Sequence, residues 1–221
     1  MSECWFIMFT PCKCRAEKVY AQIFLRLFSF FARSFYKKTY FCRQLDVTFT
    51  KNDMEVYLKD SELRTAAEGG MASFLARVTR AIKDAAGGNL TADVMQQLNS
   101  QQTTLWAFDI LREEVGEGGF IQLIHNGYGP FFFQNPFARA IKEWGLRDLA
   151  KMMYDARKLY LEHGEALTKD MTDEEFMALY EQYPDFEPLD DDFVEKEDSF
   201  VEMAACYVDE HLEDFIQIEN E

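Results

Sequence analysis

The sequence predicts an all-α protein: one compact multi-helix domain whose C-terminal helices are strongly acidic. Apolar residues recur every three or four positions along most of the chain beyond residue 60, and no alternating pattern is long enough to build a sheet. Glycines and prolines separate these periodic segments, as they do between helices. With 221 residues, 48% of them hydrophobic, the chain can bury a sizeable core, so a single domain is expected.

N-caps, glycines and prolines set the bounds of the predicted helices. The clearest start is the pair Thr172 and Glu175, which has the spacing of a capping box. The predicted elements of the first half are a helix capped by Ser61, a helix through 74–82 that ends at Gly87, a short helix at 91–98, a strong helix capped by Ser100 and closed by Gly116, and a short helix at 120–125. They are followed by an extended segment at 131–133, helices at 136–144 and 146–161, a helix from Thr172, a short turn or helix at 189–194, and a last helix capped by Asp198 or Ser199.

Charge divides the chain into two parts. Residues 1–53 contain nine Lys/Arg and four Asp/Glu, a net charge of +5. Residues 54–221 contain fourteen Lys/Arg and thirty-five Asp/Glu, a net charge of −21. The overall charge of −16 opposes direct binding to nucleic acid or to an anionic membrane. Four of the five cysteines lie in the first part, and the lone Cys206 of the acidic part is predicted to be buried and inert. This usage indicates a reducing compartment, so we expect a cytoplasmic protein.

Residues 1–53 form a basic extension rich in Phe and Cys. Arg26 and Arg33 interrupt its apolar stretch, which argues against a transmembrane helix and a signal peptide. Because Met54 directly precedes the acidic helical domain, we expect that this extension comes from a start codon assigned too far upstream. The alternative is a genuine Phe-rich anchor at a membrane surface. If the extension is made, we expect it to be poorly ordered or helical.

No metal, cofactor or catalytic pattern is recognisable. The three histidines, His125, His163 and His211, lack the spacing of zinc ligands. The Asp run at 190–192 lacks the glycine and the glutamate that a calcium loop of the EF-hand type needs. The glycines at 116–119 lack the Lys and the Ser or Thr of a phosphate loop. We therefore expect a protein without cofactor or metal that is not an enzyme, and a hydrolase with paired carboxylates ranks last.

The C-terminal acids are the strongest functional signal. Residues 170–221 contain twenty Asp/Glu and a single cation, Lys196. The acids alternate with apolar residues at helical spacing, which indicates that they lie on folded helices. Acids one turn apart repel by a few tenths of a kcal/mol per pair, so a chain that keeps them is predicted to present a fixed negative surface resembling a row of phosphates. The predicted partner-binding residues are Asp190, Asp191, Asp192, Glu195, Asp198, Glu202, Asp209, Glu210, Glu213 and Asp214.

Several motifs also carry a resemblance. They are Gln101-Gln102-Thr103, Gly118-Gly119-Phe120-Ile121-Gln122, Asn126-Gly127-Tyr128-Gly129, Asn135-Pro136-Phe137-Ala138 and the tail from Phe176 to Phe193. Over roughly residues 60–218 the chain resembles a bacterial family, otherwise a domain of unknown function, that includes a DNA mimic of the DMP nineteen type. The resemblance implies a helical dimer whose carboxylates occupy the DNA-binding face of a helix-turn-helix repressor. We expect Gln122 and Asn126 to bond the backbone.

We therefore predict a DNA mimic that binds a basic DNA-binding protein, such as a helix-turn-helix transcription regulator, and blocks its access to DNA. We expect no direct nucleic-acid binding, and no membrane contact by residues 54–221. The alternative is a protein-interaction or toxin-neutralising domain that uses an apolar aromatic patch. That patch would comprise Tyr128, Phe131, Phe132 and Phe133.

Overall fold

The computed structural model describes residues 54–88 and 90–219, so the expectations for residues 1–53 lie outside the described part. Within it the all-α prediction is confirmed. In chain order the elements are β1 (Tyr57–Lys59), α1 (Asp60–Glu68), α2 (Met71–Ala85), α3 (Ala92–Gln97), α4 (Ser100–His125), α5 (Gly129–Phe133), α6 (Phe137–Glu143), α7 (Arg147–Leu167), α8 (Asp173–Gln182), α9 (Glu187–Glu210) and β2 (Gln217–Glu219), with 3-10 turns at Pro184–Phe186 and Leu212–Asp214.

One continuous core holds these helices together; α4 runs through it, and α9 packs against it. The 26-residue α4 buries residues on all sides, including the polar Gln102, Thr103 and Thr104. The 24-residue α9 packs against α2, α4 and α7 through its apolar stripe, which includes Phe193 and Phe200. Its other side carries charged residues, so α9 is a surface helix with one buried face.

Several boundaries differ from the predicted ones. Asp198 and Ser199 cap no helix, because they lie inside the continuous α9. One helix buries apolar residues of both predicted segments, because no glycine or proline separates them and several fall on one face at 3.6-residue spacing: Leu189, Phe193, Phe200, Ala204 and Val208. Residues 131–133 belong to helix α5 and are not extended. The capping box at Thr172 is confirmed.

Helix α4 also differs, since it joins two segments that the glycines were predicted to separate. Asn99, not Ser100, is its N-cap, and Asn99 and Gln102 form a capping box. The second segment continues α4 through a kink, where Gly118 and Gly119 leave the helical conformation and Gly119 has a φ of 69°. A positive φ of this kind suits glycine because it has no Cβ.

The described chain also contains a small sheet that the sequence analysis did not predict. β1 and β2 pair in parallel, with Tyr57 opposite Gln217 and Lys59 opposite Glu219. Strands of three residues are too short to show a periodic pattern. The pairing brings the two ends of the described chain together.

Candidate partner-binding surface

Helix α9 places a row of carboxylates on its outward face. An α-helix turns by about 100° per residue, so Asp191, Glu195, Asp198, Glu202 and Asp209 fall within an arc of about 60°. All five are exposed. At about 1.5 Å of rise per residue the row is about 27 Å long. We call these five residues the acid stripe.

Four of the other predicted residues lie beside the acid stripe or beyond its end. Asp192 and Glu210 point about 100° away from Asp191 around the axis of α9. Asp192 is half-buried and forms an ion pair of 2.5 Å with Lys196. Glu213 and Asp214 lie in the 3-10 turn after α9 and are exposed. The stripe therefore has a neutralised flank at Asp192 and continues as an acidic surface past the end of α9.

Asp190 points inward instead. Its Oδ1 accepts a hydrogen bond of 2.8 Å from the backbone N–H of Phe120, the first residue after the kink in α4. Burial raises the pKa of Asp190 to about 6; the bond from Phe120 opposes this shift, and the charges of Asp191 and Glu187 add to it. Asp190 thus caps the second segment of α4 from a distance, where the helix dipole favours a carboxylate.

The resemblance motif around the kink is a set of internal contacts. Gln122 and Asn126 donate their side-chain N–H groups to the carboxylate of Glu114, over 3.3 and 2.7 Å, and not to the backbone as expected. The Tyr180 hydroxyl donates to the carbonyl of Gly118 over 2.8 Å. A Cβ on Gly118 would overlap the side chain of Gln122. This motif therefore fixes the kink through internal hydrogen bonds.

The Gln101-Gln102 motif fixes the C-terminal part of α9 in the same way. Gln101 accepts a bond of 2.9 Å from the Trp144 indole N–H and donates one of 2.9 Å to the Tyr207 hydroxyl. Gln102 donates to the carbonyl of Phe215 over 2.9 Å. Tyr207 also stacks on Trp144, with ring centroids 5.0 Å apart. The C-terminal part of α9 and the segment that follows it are thus held by two glutamines of α4, the half-buried Gln101 and the buried Gln102.

Two further carboxylates approach α9 from α6 and α7. The hydrogen bond that Lys196 donates to Asp192 is the main cause of the raised pKa of Lys196, and the charge of Asp148 adds to this shift. Burial is the main cause of the raised pKa of Tyr207, and the charges of Asp214 and Glu143 raise it further. The sequence analysis missed Glu143 and Asp148 because they precede the acidic run, and only the packing of α6 and α7 brings them close to it.

Not every acid of α9 is available to a partner. Glu197 lies on the buried side and accepts bonds of 3.0 and 2.8 Å from Nε and an Nη of Arg112 on α4. Both side chains are about one-third exposed, at 31% and 28%. This ion pair joins α9 to α4. Glu197 is therefore an acid of the same helix that lies outside the stripe, and its substitution can be compared with substitutions in the stripe.

The aromatic patch of the alternative prediction is largely internal. Phe132 and Phe133 are 1% and 3% exposed, and Tyr128 and Phe131 are half-buried against the core. The Phe132 ring packs edge-on against Phe131 and Phe137, with centroids 5.0 Å away in each case. Two of the four rings are therefore not available to a partner.

The remaining single-residue expectations have mixed outcomes. Cys206 is exposed, so its predicted burial is wrong. His125 donates from Nδ1 to the carbonyl of Leu167 over 2.9 Å, which is a structural role. Within residues 54–88 and 90–219, no three His, Cys, Asp or Glu side chains are placed to hold a metal ion. No helix in that same part of the chain is long and apolar enough to cross a membrane.

Comparison with known proteins identifies the class. Residues 96–217, more than half of the chain, match the family described as DMP19-like protein, and the chain belongs to that family. A similar relative is the DNA mimic protein DMP19 of Neisseria meningitidis serogroup B, which is 33% identical over 123 residues. The alignment covers 55% of this chain and 74% of that relative. The matched residues include the acid stripe and both resemblance motifs of α4.

Proposed function

We propose that this chain is a DNA mimic: a non-enzymatic protein whose acid stripe occupies the DNA-binding surface of a basic protein, such as a helix-turn-helix transcription regulator, and blocks its access to DNA. The observation that carries the proposal is the alignment of five exposed carboxylates along one face of α9. The similarity to the meningococcal DNA mimic protein supports the same function. The proposal assigns the chain to transcription regulation in the cytoplasm.

The density of charge supports this assignment. One strand of B-DNA carries a phosphate about every 3.4 Å along the axis, and the acid stripe carries a carboxylate about every 7 Å on average, or about every 5–6 Å over its first four members. Glu210 adds negative charge beside the stripe, and Glu213 and Asp214 add it past the end of α9. Long Lys and Arg side chains that contact phosphates could reach these carboxylates as well.

The stripe also opposes folding, which supports a functional reason for it. Asp191–Glu195, Glu195–Asp198 and Asp198–Glu202 are like-charge pairs at three- or four-residue spacing on a helix. Each such pair costs about 0.2–0.5 kcal/mol of stability. Exposed glutamines at these positions would keep the chain soluble without this cost.

Capture of a partner from the lysate of the native host tests the proposal. The full chain is the bait, and bound proteins are eluted with a salt gradient and, separately, with duplex DNA. We expect a DNA-binding protein that elutes at moderate salt and is displaced by DNA, because both ligands use the same basic surface. A partner that resists both salt and DNA would contradict the proposal.

Charge reversal provides the matched control. The triple variant Glu195→Lys, Asp198→Lys and Glu202→Lys should lose the captured protein while retaining its helical circular dichroism. A second triple variant, Glu162→Lys, Glu165→Lys and Glu181→Lys, changes three exposed acids on α7 and α8 and gives the same net charge. It should retain the partner. Equal loss in both variants would mean that only the total charge matters and not the stripe.

The resemblance to the DNA-mimic family also implies a homodimer, which we retain as part of the proposal. Two copies would present two acid stripes to a dimeric regulator that contacts two DNA half-sites. Sedimentation of the full chain over a range of concentrations tests this. A monomer at all concentrations would remove the dimer from the proposal and leave the stripe unaffected.

A further inference from the structure

The acid stripe has one break. Its first four members follow one another by three or four residues, about 4.5–6 Å along the axis, whereas Glu202 and Asp209 are seven residues and about 10.5 Å apart. The turn between them carries Ala205 and Cys206 on this side of α9. Ala205 is buried and Cys206 is exposed, so an uncharged surface replaces the carboxylate that would continue the row.

A groove opens at this break, between α9, α1 and the start of α2. Its volume is about 400 Å³. Leu63 and Phe74 form its apolar floor, and Met71 is 49% exposed on its wall. The α1 and α2 walls come from residues outside the segment that the family model matches.

The rim of the groove carries negative charge. Asp60 accepts a bond of 2.6 Å from Nε of Arg64, so these two rim residues neutralise each other. Asp209 lies on the rim, and Glu202 is one turn of α9 before Cys206. Two carboxylates therefore flank an apolar depression, an arrangement that complements an apolar side chain between two basic ones.

We propose that this groove receives one apolar side chain of the partner, projected between two Lys or Arg residues that contact Glu202 and Asp209. The inference rests on the proposed function and deepens it by naming the element recognised: a basic helix with an apolar residue on its phosphate-contacting face. DNA offers no such pocket to the partner. The stripe would thus supply the attraction common to polyanions, and the groove would select among basic proteins.

Two synthetic peptides test the inference on the full chain. Both are Lys- and Ala-rich helices with two lysines seven residues apart, and they differ only at one position between those lysines, Leu in one and Gln in the other. Leu and Gln have similar helix propensities, so the comparison isolates the apolar contact. We expect the Leu peptide to bind about tenfold more tightly, as expected for partial burial of one Leu side chain.

Substitutions in the groove sharpen the test. Cys206→Asp restores a carboxylate to the break and makes the groove polar. If the groove holds an apolar side chain, this variant loses the preference for Leu and weakens the Leu peptide by about tenfold. If only charge matters, it strengthens both peptides. Met71→Gln, on the opposite wall, should reduce the Leu preference, and Cys206→Ala should leave it nearly unchanged.

The outcomes distinguish this inference from the proposed function. Equal binding of the two peptides to the unaltered chain overturns the groove inference but leaves the DNA-mimic proposal, provided that reversal of Glu195, Asp198 and Glu202 abolishes binding of both. If neither peptide binds, or if that reversal changes nothing, both proposals fall. If Cys206→Asp changes the sedimentation of the chain alone, the groove holds a second copy and the inference is overturned.

Discussion

The backbone N–H of Phe120 donates a hydrogen bond of 2.8 Å to the carboxylate of Asp190, and this bond joins the kink of α4 to the first turn of α9. Asp191, the next residue, begins the exposed acid stripe. These adjacent acids point about 100° apart around the axis of α9 and have different roles. The internal bond helps to fix the rotation of α9 about its axis, and with it the direction in which the stripe points.

The pKa of Asp190 predicts a pH dependence of stability. Its folded pKa of about 6 lies above the reference value of 3.8, so between these values the folded state binds the proton more readily than the unfolded state. The stabilisation due to protonation is present at low pH and is lost as the pH rises through about 6. We expect the contribution of Asp190 to the free energy of unfolding to be about 1 kcal/mol larger at pH 5 than at pH 7.

Urea unfolding at the two pH values measures this, with Asp190→Asn as the control. The Asn side-chain oxygen can still accept from Phe120 but does not titrate, and the difference between the two proteins removes the effect of the other acids. An Asp190→Asn variant with the same pH dependence as the unaltered chain would show that Asp190 does not titrate in this range.

Two glycines of α4 should respond in opposite directions to alanine. Gly119→Ala should destabilise the protein by about 2 kcal/mol or more, because Gly119 has a positive φ and a Cβ there would overlap the carboxylate of Asp190. Gly116→Ala should stabilise it by about 0.5–1 kcal/mol, since Gly116 lies inside α4 with open space around its Cα. Thermal unfolding of both variants checks the pair, and a neutral Gly119→Ala would contradict the geometry of the kink.

The acid stripe should oppose stability while it supports binding. Asp198 has like-charged neighbours at three and four residues, Glu195 and Glu202, so Asp198→Asn should stabilise the protein by about 0.5–1 kcal/mol at low salt. The gain should shrink as salt screens the repulsion. Chemical unfolding at low and high salt measures it, and binding to the captured partner should weaken in the same variant.

Glu197→Gln provides the comparison for that experiment. Glu197 is an acid of the same helix, but it is paired with Arg112 in a partly buried site. Its neutralisation should therefore destabilise the protein by about 1 kcal/mol and leave partner binding nearly unchanged. If both variants changed stability in the same direction, the division between stripe and internal acids would be wrong.

The buried Gln102 should be among the most sensitive polar residues. It is 3% exposed, donates to the carbonyls of Phe215 and Met54 and accepts from the N–H of Asn99. Gln102→Ala should cost about 2–3 kcal/mol because it leaves buried backbone groups without their partner. Gln182→Ala, at an exposed site of α8, should change stability by less than about 0.5 kcal/mol. Urea unfolding compares the two.

The sequence predicted what depends on local spacing. The helices follow from apolar periodicity, and the members of the acid stripe follow from acids three and four residues apart, since both properties belong to a single helix. The sequence did not predict which acids of α9 would be covered by another helix. Asp190 and Glu197 are spaced like surface acids, yet α4 covers both.

Features made by contact between distant segments were likewise missed. Asp148 and Glu143 approach α9 only because α6 and α7 pack beside it. The groove at Cys206 requires α1, which is more than a hundred residues earlier in the chain. The continuity of α9 was not predicted for a different reason. Asp198 and Ser199 are residue types that favour an N-cap, but the tertiary packing of the apolar residues before and after them overrides that local preference.

The packing of α2 against α9 also determines when the domain can be completed during synthesis. The apolar face of α2, which includes Phe74, Val78 and Ile82, is covered in large part by α9, whose last residue is Glu210. At about 5–20 residues per second, a ribosome needs roughly 6–25 s to extend the chain from the end of α2 to the end of α9. For that interval the early helix has an uncovered apolar face and is open to chaperones or aggregation. The acidic helix thus acts late in folding, as the element that covers the apolar face of α2.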